Sequence, residues 1–337
     1  MMVKVGVINV TGYVGMELAR LLHQHPRVEL ASITGRSAVG QRLGEVLPHL
    51  ADIGLVIEPE LGEVVLVFSA LPHKTSAEAV AAALELGIKV VDISADFRLK
   101  DAKDYEVWYD FAHPAPQLLG EAVYGLVELN RHQIASSRLV ANPGCYPTGA
   151  LLAIAPVVKQ ELIEPDIIID AKSGVSGAGR TLTLGTHFAE ANESVSAYAL
   201  EGHRHLPEIT QQLSVLNPAL PLAVTFVPHL VPMSRGILTT CYAKLKGVKD
   251  DVRELYREFY RGEPFIRVVE APPQTKQTLG TNLCLIYPTI DLRTGRLIVV
   301  SCIDNLIKGG AGQAVQSMNL MLGFPEGMAL EGAAVYP

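Results

Sequence analysis

The segment NPGCYPT, residues 142–148, sets Cys145 between a Pro-Gly turn and the apolar run ALLAIAPVV, which reads as a helix. Pro147 suits the first helical turn. A thiol so placed sits at the positive end of a helix dipole, which favours the thiolate, the form that attacks carbonyl carbon. The placement fits a nucleophile better than a packing residue. Cys241, Cys284 and Cys302 each interrupt an apolar strand-like run, as inert core thiols do. No two of the four cysteines stand at C-x-x-C spacing.

A nucleophilic thiol needs an acid/base partner. EGHRHLPEI offers His203 and His205, with Glu208 three residues beyond His205 and placed to orient its ring. The same three residues could hold a metal, but nothing else supplies a ligand set, so no metal is expected. His229, in VPHLVP, is a second candidate base, though it reads better as structural or as lining the pocket. The loop AKSGVSGAGR joins the hydroxyls of Ser173 and Ser176, the backbone of Gly177 and the charge of Arg180. It can grip a phosphate or carboxylate, or be a plain surface loop. Arg235, after VPMS, can meet a substrate carboxylate.

These residues need a framework. The first third alternates strands (VKVGVINV, VELASIT, VVLVFSAL, IKVVDISA) with helices (YVGMELARLLHQHP, SAEAVAAALELG), the pattern of a Rossmann-like α/β domain. Residues 100–137 read as irregular, and RLVANPG returns to strand. Beyond 150, DIIIDAKSG, LAVTFVPHLV, GILTTCYAKLKG, NLCLIYPTIDL and RLIVVSCIDN crowd together, with helices at PEITQQLSVL and DDVRELYREFY. That predicts a second α+β domain on a mixed, largely antiparallel sheet. The expected division is 1–146 with 305–337, the C-terminal helix folding back, against 147–304.

The first strand runs into T-G-Y-V-G, residues Thr11, Gly12, Tyr13, Val14 and Gly15, which fill the latter part of a dinucleotide turn. Asn9 stands where its first glycine is expected, and asparagine also tolerates a left-handed turn. Such a turn is functional or purely structural. The second strand ends in Thr34, Arg36 and Ser37 without an acid, which favours the 2′-phosphate of NADP(H) over NAD, unless Arg36 is simply solvated. NLIKGGAGQA, with Asn305, Lys308 and Gly309, is expected to close over the nicotinamide.

The chain has 337 residues, is 49% hydrophobic and carries a net charge of −7, which disfavours nucleic acid or an anionic membrane as partner. No apolar run reaches the length of a membrane span, and the N-terminal segment lacks signal-peptide features, so the expected location is cytoplasmic.

In order along the chain, GYVG, SADFRL, NPGCYPT, KSGVSGAGR, HF-x-E-x-NE, GHRHLPEI, PHLVPMSRGI and NLIKGGAGQAVQSMNLM together resemble the N-acetyl-γ-glutamyl-phosphate reductase family, relatives of aspartate-semialdehyde dehydrogenase. The resemblance implies a small acyl-phosphate substrate reduced with NADPH to an aldehyde through a thioester on Cys145. It further implies proton transfer by His205, substrate held by His203, Arg180 and Ser176, and a homodimer or homotetramer. Asn9 departs from the family's glycine. Alternatives are a lysine-pathway aminoadipyl-phosphate reductase homologue, aspartate-semialdehyde dehydrogenase itself, and a non-catalytic NADP-binding regulator.

Overall fold

The computed structural model describes residues 2–247 and 251–336. The chain separates into two compact units, one ending at Pro143 and regaining Gly310–Gly332, the other spanning Gly144–Gly309 and resuming at Ala333. The crossings lie a few residues from the expected ones, and Cys145 falls in the second unit. The outermost residue of each expected terminal range, and Asp250 of the expected helix DDVRELYREFY, lie outside the described residues.

The first unit runs β1 (Val3–Ile8), α1 (Tyr13–His23), β2 (Val28–Ile33), α2 (Leu43–Val46), β3 (Leu66–Ser69), α3 (Ser76–Glu85), β4 (Lys89–Asp92), α4 (Ala102–Tyr109), β5 (Val123–Tyr124), α5 (Val127–Ser136) and β6 (Leu139–Ala141). All strand pairings are parallel, in the order β2-β1-β3-β4-β6-β5. Val5, Val7, Leu66, Val67 and Phe68 are fully buried, as parallel strands covered on both faces require. Order reverses at β1, so the loop after β1 opens at the switch point where such sheets bind ligands. The stretch expected to be irregular holds α4 and α5. Asp101 caps α4 by accepting from the Lys103 N–H, and Tyr105 and Tyr109 bury its inner face.

The second unit runs α6 (Cys145–Lys159), β7 (Ile163–Gly174), α7 (Phe188–Ala191), β8 (Ser196–Ala197), α8 (Leu206–Leu216), β9 (Ala223–Val231), β10 (Ile237–Leu245), α9 (Val252–Phe259), β11 (Ile266–Val268), β12 (Cys284–Asp291) and β13 (Arg296–Ile303). Its sheet, β11-β12-β13-β10-β7-β9-β8, is mixed; only β11–β12 and β7–β9 pair in parallel. The chain then returns to the first unit as α10 (Gly312–Met321), where Gln313 donates to the Gly125 carbonyl and Asn319 meets His25.

Helix α6 is apolar all round and buried from Tyr146 to Val158, so it forms the centre of its unit. Pro156 within it has no N–H, which strips the Leu152 carbonyl of its intrahelical donor. Tyr260, at the end of α9, donates to that carbonyl at 2.6 Å, and Tyr256 donates to the Ala153 carbonyl at 2.7 Å. Tyr260→Phe should cost about 1–3 kcal/mol in urea unfolding, the penalty for an unpaired buried carbonyl. In a Pro156→Ala background the restored N–H should shrink that cost; an equal cost in both backgrounds would refute the compensation.

Candidate active site

In the first unit, Asn9 adopts φ 65°, the left-handed conformation its position demands. Its side chain does what glycine cannot: Nδ2 donates to the Ala70 carbonyl at 2.8 Å, tying the turn to the end of β3. Gly15 is a packing glycine, since a Cβ there would stand 2.5 Å from the Asn9 carbonyl oxygen and 2.8 Å from that of Val10. Gly12 is the N-cap of α1, and no side chain caps this helix. By contrast, the N-terminus of α3 is filled, because Asp96 Oδ2 accepts from the Ser76 and Ala77 N–H groups. The α1 N-terminus therefore suits a phosphate, with Thr11 and Val14 partly covered and Tyr13 exposed beside it. At the end of β2, Arg36 and Ser37 are exposed. Thr34 is buried at the end of β2, its N–H donating to the Val7 carbonyl and its carbonyl accepting from the Val10 N–H.

Where β3 and β4 end lies a buried polar cluster that the sequence reading passed over. Ser76 Oγ donates to Asp92 at 2.6 Å and Ser94 Oγ at 2.7 Å, with Ser69 against Ser76. Burial, followed by the nearby Asp96 carboxylate, raises the Asp92 carboxyl from 3.8 to about 6. The folded chain thus holds this proton more tightly than the unfolded chain. The resulting stability is fully present below about pH 4 and is lost as pH rises through about 6. Comparing urea midpoints at pH 4 and pH 7, Asp92→Asn should remove on the order of 2–3 kcal/mol of that fall. An unchanged pH dependence would refute it.

In the second unit, Cys145 is the first residue of the fifteen-residue α6 and is half-buried. Gly144, its N-cap, donates to Glu208 Oε1 at 2.8 Å. Glu208 is fully buried, and this use of one carboxylate oxygen on the Cys145 turn differs from the ring-orienting role read from its spacing to His205. The other three thiols are buried; burial pushes Cys241 up to about 12 and Cys302 up to about 11.

Beside the thiol, Tyr146, Tyr198, His203, His205 and Phe226 form an aromatic box. The rings of His203 and His205 lie 4.8 Å apart, and Tyr146 meets both edge-on. His203 Nδ1 accepts the backbone N–H of His205 at 3.0 Å, and burial, then Arg204, lowers its pKa to about 4. It is therefore neutral at pH 7 and carries its proton on Nε2. Tyr198 donates to the Tyr146 hydroxyl, and burial pushes Tyr198 up to about 12 and Tyr146 higher still. Neither tyrosine was singled out from the sequence, although Tyr146 stands next to the thiol. His229 gives the site only its carbonyl, which accepts from Tyr146; its ring Nδ1 lies 3.2 Å from Asp170.

Three loops complete the surroundings. Gly174, Val175 and Ser176 donate backbone N–H groups to the carbonyls of Gly236, Met233 and Ser234, which fastens the glycine/serine loop to the Arg235 loop. Asn305 reinforces the joint, accepting from the Gly236 N–H and donating to Ser176 Oγ. Ser173 is buried beneath Gly177, whereas Gly177 and Arg180 are exposed. Arg235 lies 3.6 Å from buried Asp304. The residues read as closing over a nicotinamide thus have internal partners: Asn305 bridges two loops, Lys308 is fully buried with its ammonium 5.8 Å from the Phe265 ring centre, and Gly309 packs on Cys145. Cys145, Ser173, Ser176, Gly177, His203, His205, Glu208, Arg235 and Gly309 belong to this one neighbourhood.

Comparison with known proteins divides the chain near the same point. Residues 4–137 match the family model "Semialdehyde dehydrogenase, NAD binding domain", and residues 145–305 match "Semialdehyde dehydrogenase, dimerisation domain". The chain is 56% identical to the N-acetyl-gamma-glutamyl-phosphate reductase of Dehalococcoides mccartyi, over 99% of both chains. It is 51% identical to that of Pelotomaculum thermopropionicum, over the full length of both. Among solved structures, aspartate semialdehyde dehydrogenase II of Vibrio cholerae, complexed with ASA, superposes with a TM-score of 0.72 at 16% identity, covering 96% of this chain and 99% of that one. The Candida albicans aspartate semialdehyde dehydrogenase with NADP gives a TM-score of 0.69, also at 16% identity, covering 96% and 99%. At that identity the likeness is one of fold.

Proposed function

Because the chain belongs to the N-acetyl-γ-glutamyl-phosphate reductase family of semialdehyde dehydrogenases, we propose that it reduces N-acetyl-L-glutamyl 5-phosphate to N-acetyl-L-glutamate 5-semialdehyde, with release of phosphate and NADPH as reductant. The observation that carries this reading is Cys145 at the first position of α6, half-buried and next to Tyr146, whose ring meets His203 and His205.

In this mechanism the Cys145 thiolate attacks the acyl carbon, the C–S bond forms, the C–O bond to phosphate breaks, and a thioester remains on the enzyme. The positive end of the α6 dipole favours the thiolate. Bound reduced nicotinamide supplies the hydride that takes the thioester to the aldehyde level. His205 takes the proton from the thiol, gives one to the oxygen as the thiohemiacetal forms, and removes it again as the thiohemiacetal collapses to the aldehyde and the Cys145 thiolate. His203, neutral with Nε2–H, holds a substrate oxygen, with Ser176, Gly177, Arg180 and Arg235 supplying donors and positive charge for the phosphate and carboxylate; the buried Ser173 hydroxyl donates instead to the Gly174 carbonyl. His229 is left out because its ring is engaged by Asp170.

For the nucleotide we assign the α1 N-terminus, Thr11 to Gly15, to the pyrophosphate and exposed Arg36 with Ser37 to the 2′-phosphate. Arg36→Ala should raise the KM for NADPH roughly tenfold to a hundredfold, the loss of a charge-assisted contact, and leave that for NADH nearly unchanged. A parent enzyme that uses both nucleotides equally would overturn the NADP assignment. We assign assembly, as a homodimer or homotetramer, to the second unit. There Leu182, Leu184 and Phe188, close together in the chain, are 95, 78 and 77% exposed, apolar side chains of the kind a subunit contact covers. Among the described residues no helix is long and apolar enough to cross a membrane, which suits a cytoplasmic site of action.

The deciding assay follows absorbance of the reduced nicotinamide with N-acetylglutamyl phosphate and NADPH, and in reverse with the semialdehyde, phosphate and NADP. Turnover supports the reading. Turnover with aspartyl phosphate instead reassigns the substrate, and none with any acyl phosphate rejects a reductase.

A further inference from the structure

Three residues converge on the backbone that carries Cys145. The Gly144 N–H is taken by Glu208 Oε1 at 2.8 Å. Its carbonyl is taken by the N–H and Oγ1 of Thr148, at 3.0 and 2.9 Å. From the side comes Gly309, where a Cβ would stand 2.8 Å from the Cβ of Cys145 and 3.1 Å from its Cα. Gly309 has no left-handed φ, so what its place demands is the absence of a side chain.

A single π turn, Ile307–Ala311, brings Gly309 there, its N–H donating to the Asp304 carbonyl at 2.9 Å. The turn is anchored in turn: buried Asp304 accepts from the N–H groups of Leu306, Ile307 and Gly280. The first residue of a helix is ordinarily among its loosest, because its N–H has no intrahelical partner. Attack on a carbonyl carbon tolerates little misplacement of the nucleophile.

The geometry points to Glu208 and Gly309 as positioning residues that fix the Cα–Cβ bond of Cys145, Glu208 acting through the Gly144 N–H and Gly309 by direct contact. This rests on Cys145 being the nucleophile.

The test reads alkylation of Cys145 by iodoacetamide as a function of pH, with the labelled site mapped by mass spectrometry, beside kcat and KM. Gly309→Ala should change the alkylation rate at least about fivefold and lower kcat at least about tenfold, with KM within about threefold. Glu208→Ala should shift alkylation in the same way, whereas Glu208→Gln keeps a carbonyl acceptor for the Gly144 N–H and should restore the parental alkylation profile. Should Glu208→Ala fail to fold, Gly309→Ala and Glu208→Gln still decide. Parental alkylation and kcat in Gly309→Ala would overturn the role of Gly309. A Glu208→Gln profile far from the parent's would overturn that of Glu208 and return the carboxylate to His205. Cys145→Ser, run alongside, isolates the underlying reading: an inactive Cys145→Ser beside an unaffected Gly309→Ala rejects the positioning alone, and an active Cys145→Ser rejects the nucleophile.

Discussion

Cys145→Ser should abolish reductase turnover, by roughly a thousandfold or more, while the affinity for NADPH stays within about twofold of the parent's. The asymmetry follows from where each function resides. The thiol is the first residue of α6 in the second unit, whereas the assigned nucleotide contacts lie in the loop after β1 and at the end of β2. A hydroxyl at the same place ionises far less readily than a thiol, and the helix N-terminus cannot close that gap. The other thiols cannot substitute, because Cys241, Cys284 and Cys302 are buried within strands. Nicotinamide absorbance under saturating substrate measures the loss, and fluorescence titration of NADPH measures the binding. Serine enzyme that retains most of its turnover would exclude a thioester; serine enzyme that no longer binds nucleotide would mean that the substitution damaged the fold.

What could be read from the sequence was what local chemistry determines. Alternation of apolar strands and amphipathic helices located β1 to β4 and β6, because strands buried on both faces must be continuous in Val, Leu and Ile. Cys145 was legible because Pro143, Gly144 and Pro147 are turn and helix-start residues within a few positions of it. The inert thiols were legible because Cys241, Cys284 and Cys302 sit within apolar strand-like runs. Helices α4 and α5 were not. The first buries little beyond Tyr105 and Tyr109, and the second is interrupted at Asn130, so neither shows a sustained helical period. Long-range partnerships were also hidden. Glu208 stands near His205 in the chain and was read as its partner, yet one of its oxygens serves Gly144, 64 residues earlier. The glycines of NLIKGGAGQA were read as closing over a nicotinamide; no local signal told that Gly309 is glycine because Cys145 lies against it.

The same distinction between a glycine needed by the protein and one needed by a ligand can be measured at the β1 turn. Gly15→Ala should weaken NADPH binding about tenfold to a hundredfold and lower the melting temperature as well, since its methyl group would overlap three backbone atoms of Asn9 and Val10. Backbone cannot swing aside as a side-chain end can, so the turn itself must shift, and with it the N–H groups at the start of α1 that we assign to the pyrophosphate. Gly12→Ala is the contrasting case. A Cβ there would meet only Asn9, its side-chain amide at 3.5 Å and its carbonyl oxygen at 3.7 Å, both ordinary contacts, so the unliganded protein should melt as the parent does. Its NADPH affinity should nevertheless fall, because a pyrophosphate seated on the helix N-terminus needs close approach to the Gly12 backbone. Thermal melts and nucleotide titrations of the two variants separate the effects. Parental affinity in Gly12→Ala would move the pyrophosphate off this turn, and parental stability in Gly15→Ala would show that α1 can withdraw from β1 without cost.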